Sequence, residues 1–127
     1  MSQFIKISLL TGADGRARFA ESSVALTEGS AAAALSPLQP SSGLQLRRSP
    51  VGFRSEFHCT DNPQWVFILR GVMEIGLQDG SSRLFNPGQH FFSADTLPAG
   101  AVFDAEVHGH WSRQVGDEPL ETLFVRA

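Results

Sequence analysis

The stretch GFRSEFHCTDNPQWVFILRG, residues 52–71, decides how this chain is read. It holds two strand-like runs, bounded by Gly52 and Gly71 and separated by the turn signal Asp61-Asn62-Pro63. From Phe53 to Thr60 the residue types alternate. Arg54, Glu56, His58 and Thr60 fall on one side, and Phe53, Ser55, Phe57 and Cys59 on the other. In the second run Val66 and Ile68 share a face with Gln64, while Trp65, Phe67 and Leu69 line the opposite face. A strand apolar on both faces is covered on both sides. One cover is the interior of the fold. The other is either the N-terminal segment or a second copy of the chain, which makes a homodimer the expected assembly.

The same pattern extends in both directions. Downstream, strands are expected at Val72 to Leu77, Ser82 to Phe85, Gln89 to Ala94, Ala101 to Glu106, Val107 to Gln114 and Glu121 to Val125. Asp79-Gly80 is a hairpin signal, and Asn86-Pro87-Gly88 marks another turn. Upstream, Leu44 to Arg48 reads as a strand. Phe4 to Leu10 and Arg16 to Ala20 read as an opening strand pair around Thr11-Gly12-Ala13-Asp14-Gly15. Ala31 to Leu35 is expected to form a helical turn or two, stopped by Pro37 and Pro40. Short strands at this spacing indicate an all-β sandwich or barrel. The 127 residues suit one domain: N-terminal strands and loop over 1–42, and a barrel core over 43–127.

Bulk properties exclude several classes. The net charge is -3 and the basic residues are scattered, so neither nucleic acid nor an anionic membrane is an expected partner. The single cysteine, Cys59, forms no internal disulfide and no Cys-based zinc site. By alternation it faces away from His58, against a Cys-His nucleophilic pair. No apolar run has the length of a signal peptide core or a membrane span, so a soluble, cytoplasmic protein is expected. Phosphate-loop, dinucleotide and nucleophile-elbow motifs are missing.

The polar row on Phe53–Thr60 is either a solvated face or the wall of a pocket. The pocket reading gains from the turn at 61–63, which brings His58 and Gln64 onto adjacent strands beside the buried row of Val66 and Ile68. The spacing also carries a resemblance. Gly52, five residues, His58, Cys59, Thr60, three residues, Gln64, six residues and Gly71 is similar to the first motif of the cupin superfamily. Thr60 stands where that motif has its second His, and Gln64 where it has Glu. Pro98-Ala99-Gly100 resembles the turn of the second motif, with Phe103 in its His position. His110 is then the expected counterpart, His108 the runner-up. The resemblance covers roughly residues 43–125.

It implies a double-stranded β-helix, or jelly roll, and a ligand set of His58, Gln64 and His110 around a divalent iron, manganese, nickel or zinc ion. Glu56 or Asp95 would be the base. The competing reading is a metal-free interior in which the imidazoles bond to each other, to Gln64 or to Glu56. Arg54 is expected to meet an anionic group. Thr60, Val66, Phe92, Phe103 and His108 are expected to line the pocket, and His90 either joins them or sits at a strand edge. The chain has no Tyr, so the His-Tyr acid–base chemistry of cupin sugar epimerases is not available in that form. Three functions remain: a metal-assisted enzyme acting on a small organic acid or carbonyl compound, a metal-free ligand-binding protein, or a structural or regulatory dimerising barrel.

Overall fold

A computed structural model describes residues 2–127 as eleven β-strands, with no helix among the described residues. The strands are β1 (Gln3–Thr11), β2 (Ala17–Ala25), β3 (Glu28–Ser30), β4 (Ala33–Leu35), β5 (Gly43–Ser49), β6 (Gln64–Arg70), β7 (Val72–Gly76), β8 (Ser82–Phe85), β9 (His90–Ala94), β10 (Trp111–Val115) and β11 (Leu120–Arg126). Six of them form one sheet in the order β2-β1-β9-β6-β11-β5. A second sheet runs β10-β7-β8, and β3 pairs with β4 as a separate hairpin.

Both large sheets feed one core. Ile7 and Leu9 of β1, Val66 and Ile68 of β6, Phe91 of β9 and Leu120 of β11 pack with Met73 and Ile75 of β7 and Phe85 of β8. The Phe85 and Phe91 rings lie 4.8 Å apart, joining the two layers. The first 42 residues are thus more than a cover. β1 is inserted between β2 and β9, pairing parallel with β9 at Ser8 and Phe92.

Turn chemistry accounts for the hairpins. Between β7 and β8, Gly80 takes φ of 87°, and the Asp79 carboxylate accepts from the Ser81 amide at 2.8 Å. At the β1–β2 end, the Gly12 amide donates to the Arg16 carbonyl at 2.8 Å.

Four expected elements differ. Ala31 to Leu35 is not helical: it holds the turn and second strand of the β3–β4 hairpin. A few alanines before Pro37 are too short to nucleate a helix. Ala101 to Glu106 is a series of turns, not a strand. There the Asp104 carboxylate accepts from the Glu106 amide, and His108 Nδ1 accepts from the Asp104 amide at 3.0 Å. Local side-chain acceptors have replaced a sheet partner. The strand expected from Val107 begins only at Trp111, after Gly109 at φ of 84°.

The run Phe53 to Thr60 is the most informative difference. It meets β10 at two isolated bridges, Arg54 with Arg113 and His58 with His110. Four residues on one side match three on the other, so the segment carries a bulge. The bulge reverses the expected faces. Arg54 and Glu56 turn outward and are exposed, while Ser55 bonds Ser112 and joins His58 on the inner side.

The outer face of β6 is partly covered. Trp65 and Phe67 stack at 5.7 Å, and they line a cleft of about 450 Å³ with Phe4, Leu26 and Pro40. Toward β5 the face is bare, with Leu44 at 65% and Leu46 at 73% exposure.

Gly76 sits directly under the indole of Trp111. A methyl group there would lie 1.8 Å from the ring. Gly76→Ala should therefore destabilise the fold by about 1–3 kcal/mol, read in a urea melt, and shift the Trp111 side-chain NMR resonance.

Candidate functional site

The site is built on a main-chain pair. His58 and His110 exchange both backbone hydrogen bonds, at 2.9 and 3.0 Å, which puts their side chains next to one another. The imidazole centroids are 4.7 Å apart. Gly109 permits the approach: a Cβ there would lie 2.6 Å from the His58 carbonyl oxygen.

His110 is buried, at 4% exposure, and Asp95 is fully buried behind it. His110 Nδ1 donates to Asp95 Oδ2 at 2.8 Å. The other oxygen, Oδ1, accepts from the Thr11 hydroxyl at 2.8 Å. His58 is exposed, and its Nδ1 donates to the Glu56 carbonyl at 2.9 Å. Carboxylate and carbonyl oxygens only accept here, so the Nδ1 of each ring carries the proton. In neutral rings each Nε2 then offers a lone pair. No protein donor meets either Nε2 among the described residues.

Although the residue is partly exposed, desolvation of the ring against His110 and the inner wall holds His58 below its ordinary imidazole range. Its bond to the Glu56 carbonyl opposes the shift, the nearby His110 and Arg47 reinforce it, and Asp95 opposes it.

Around this pair the inner face is polar. Thr60 bonds Ser93 at 2.7 Å, and Gln64 lies opposite Ser93 in the strand register. On the other side of His58 is an open cleft of about 600 Å³, lined by His58, Thr60, Asp61, Thr96, Leu97 and Phe103, with Phe57 and Cys59.

Of the expected residues, the structure brings together His58, His110 and Asp95, with Thr60 and Phe103 along the cleft. Gln64 lies opposite Ser93, the partner of Thr60, and no hydrogen bond joins it to either imidazole among the described residues. The others fall elsewhere. His90 and Phe92 lie on the outer face, because Phe92 pairs with Trp65 and His90 with Phe67. Val66 is in the apolar core. Arg54 and Glu56 are turned out by the bulge, Glu56 contributing only its carbonyl. His108 stabilises the 104–108 turn.

Thr11, Gly109, Ser55 and Arg47 were not singled out from the sequence. Alternation along β5, which sets Gln45, Arg47 and Ser49 on one face, could have found Arg47.

A cupin-type metal site is met only in part. Two imidazoles with Nδ1 directed to a carboxylate and a carbonyl have the usual outer-shell support of metal ligands. An anionic donor is wanting: Asp95 is committed to Thr11 and His110, and Glu56 is turned outward. No group of three or more His, Cys, Asp or Glu converges among the described residues. No protein-family model matches this chain, and no curated protein matches it.

A depressed imidazole makes protonation cost more in the folded chain than in the unfolded one. Stability should therefore fall as pH drops from about 6.5, the ordinary His value, toward the folded midpoint of His58. NMR titration of the His58 ring should place that midpoint below 6.5. His58→Asn should flatten the acid limb of a urea-melt series, leaving the share from His90, which burial also lowers.

Proposed function

We propose that this chain is a small jelly roll of cupin type that holds a small organic acid or carbonyl compound at the His58–His110 pair, with His110 as its proton acceptor. The observation that carries this reading is the buried Asp95–His110 bond at 2.8 Å. It fixes the tautomer of His110, presents Nε2 as the acceptor, and compensates the imidazolium formed when a proton arrives. In the reaction this favours, Nε2 takes a proton from the carbon next to a carbonyl. The electron pair moves to the carbonyl oxygen as an enolate, and the same Nε2–H returns the proton. Thr60 and the open cleft give the ligand room beside the pair. Two sheets feeding one core and the spacing of residues 52–71 support the jelly-roll reading.

A second reading is a divalent metal held by His58 and His110 with the Gln64 amide. It is favoured by the outward donation of both Nδ1 protons. Such an ion would polarise a bound carbonyl. A homodimer through the bare outer face of β5 belongs to the same proposal, since Leu44, Leu46 and Leu69 are each more than half exposed.

The test is hydrogen–deuterium exchange at the carbon next to the carbonyl, followed by NMR for a panel of small 2-oxo acids in heavy water. Exchange should exceed that in buffer and drop about 100-fold in Asp95→Asn and His110→Gln. Exchange no faster than in buffer sinks the proton-acceptor role. Stoichiometric metal in the purified protein, lost in His58→Ala, selects the second reading. Sedimentation should give a dimer that Leu46→Glu converts to monomer.

A further inference from the structure

We propose that Arg47 is the carboxylate-recognition residue of this site, so that its ligands are small carboxylic acids in preference to neutral carbonyl compounds. The proposal rests on the function proposed above and names its substrate class.

The chain has one pair of adjacent arginines, and the two have opposite fates. Arg48 pairs in register with Glu121, faces outward and forms an ion pair with it at 2.6 Å. Arg47 pairs in register with Thr122, which is buried on the inner face. Its guanidinium lies 4.8 Å from the Phe53 ring and 5.9 Å from the Phe124 ring. Among the described residues no carboxylate pairs with it.

A guanidinium laid on aromatic rings keeps its in-plane N–H groups for another partner, and that fork matches the two oxygens of a carboxylate. Phe53 also places it. Through the bulge, Phe53, Ser55 and His58 belong to the same inner side, so the ring that carries Arg47 and the imidazole pair lie along one wall.

The other arginines near the site serve less well. Arg54 is turned outward, and Arg113 is held by Glu74. Arg126 shares the inner face of the sheet at the far end of β11, opposite Gln64 in register, without an aromatic contact. The division of labour is then a cation for the carboxylate and a lone pair for the proton.

The experiment titrates full-length protein with pyruvate and malonate, and with the uncharged pyruvamide and malonamide. It follows the Arg47 side-chain N–H and the His58 and His110 ring resonances by NMR. The acids should move all three groups and bind more tightly than the amides. Arg47→Gln should weaken the acids by about tenfold and leave the amides unchanged. Arg48→Gln should change neither. Arg47 is exposed on an edge strand, so its replacement should leave the melting curve intact, which the same samples check.

Acids that bind Arg47→Gln as well as wild type overturn the proposal, as does loss of binding in Arg126→Gln alone. Acids held through Arg47 that leave both imidazoles unmoved overturn the proton-acceptor reading and leave Arg47 standing as an anion site. Absence of binding by any of the acids overturns both.

Discussion

A fully buried carboxylate is expensive unless its oxygens are met by donors. In this chain the Asp95 carboxylate is met by two, the Thr11 hydroxyl and the His110 ring. Much of the site follows from satisfying that one group. It ties the end of β1 to the end of β9 and to the start of β10. It also determines which nitrogen of His110 carries the proton. The main-chain pair with His58 then has a rigid member to lean on, so an exposed imidazole is held beside a buried one.

The bulge between the two bridges of residues 53–58 is the second constraint. A regular strand would have turned Arg54 and Glu56 toward the interior and Phe53 and Ser55 away from it. One extra residue exchanges the two sets before His58 is reached. The inner wall therefore carries an aromatic ring and a hydroxyl where charge was expected. The guanidinium from β5 is laid over that ring.

These two features show what the sequence could reveal. The β6, β7 and β8 strands and their turns were legible because alternation and Asp79-Gly80 act locally. His58, His110 and Asp95 were singled out from the motif spacing around them, and the structure brings their side chains together. The bulge was not, since no residue type in Phe53–Thr60 marks where a register slips. Phe92 was misplaced, and His90 left open, for a related reason. Alternation says which residues share a face, and only the pairing of Phe92 with Trp65 says which face that is. The Ala101–Glu106 run has strand-like composition, but Asp104 and His108 satisfy its backbone locally. Thr11 had no signal at all, lying 84 residues from the carboxylate it serves.

The parallel pairing of β1 with β9 has a consequence for how the molecule comes to be. During synthesis the β1–β2 hairpin emerges early, but the neighbour for its second edge arrives only after more than half of the chain has been made. Until then Ile7 and Leu9 present an apolar surface with nothing to lie against. Loop closure over that distance is slow, so acquisition of native structure should be limited by this late docking step, with the nascent hairpin open to self-association while it waits.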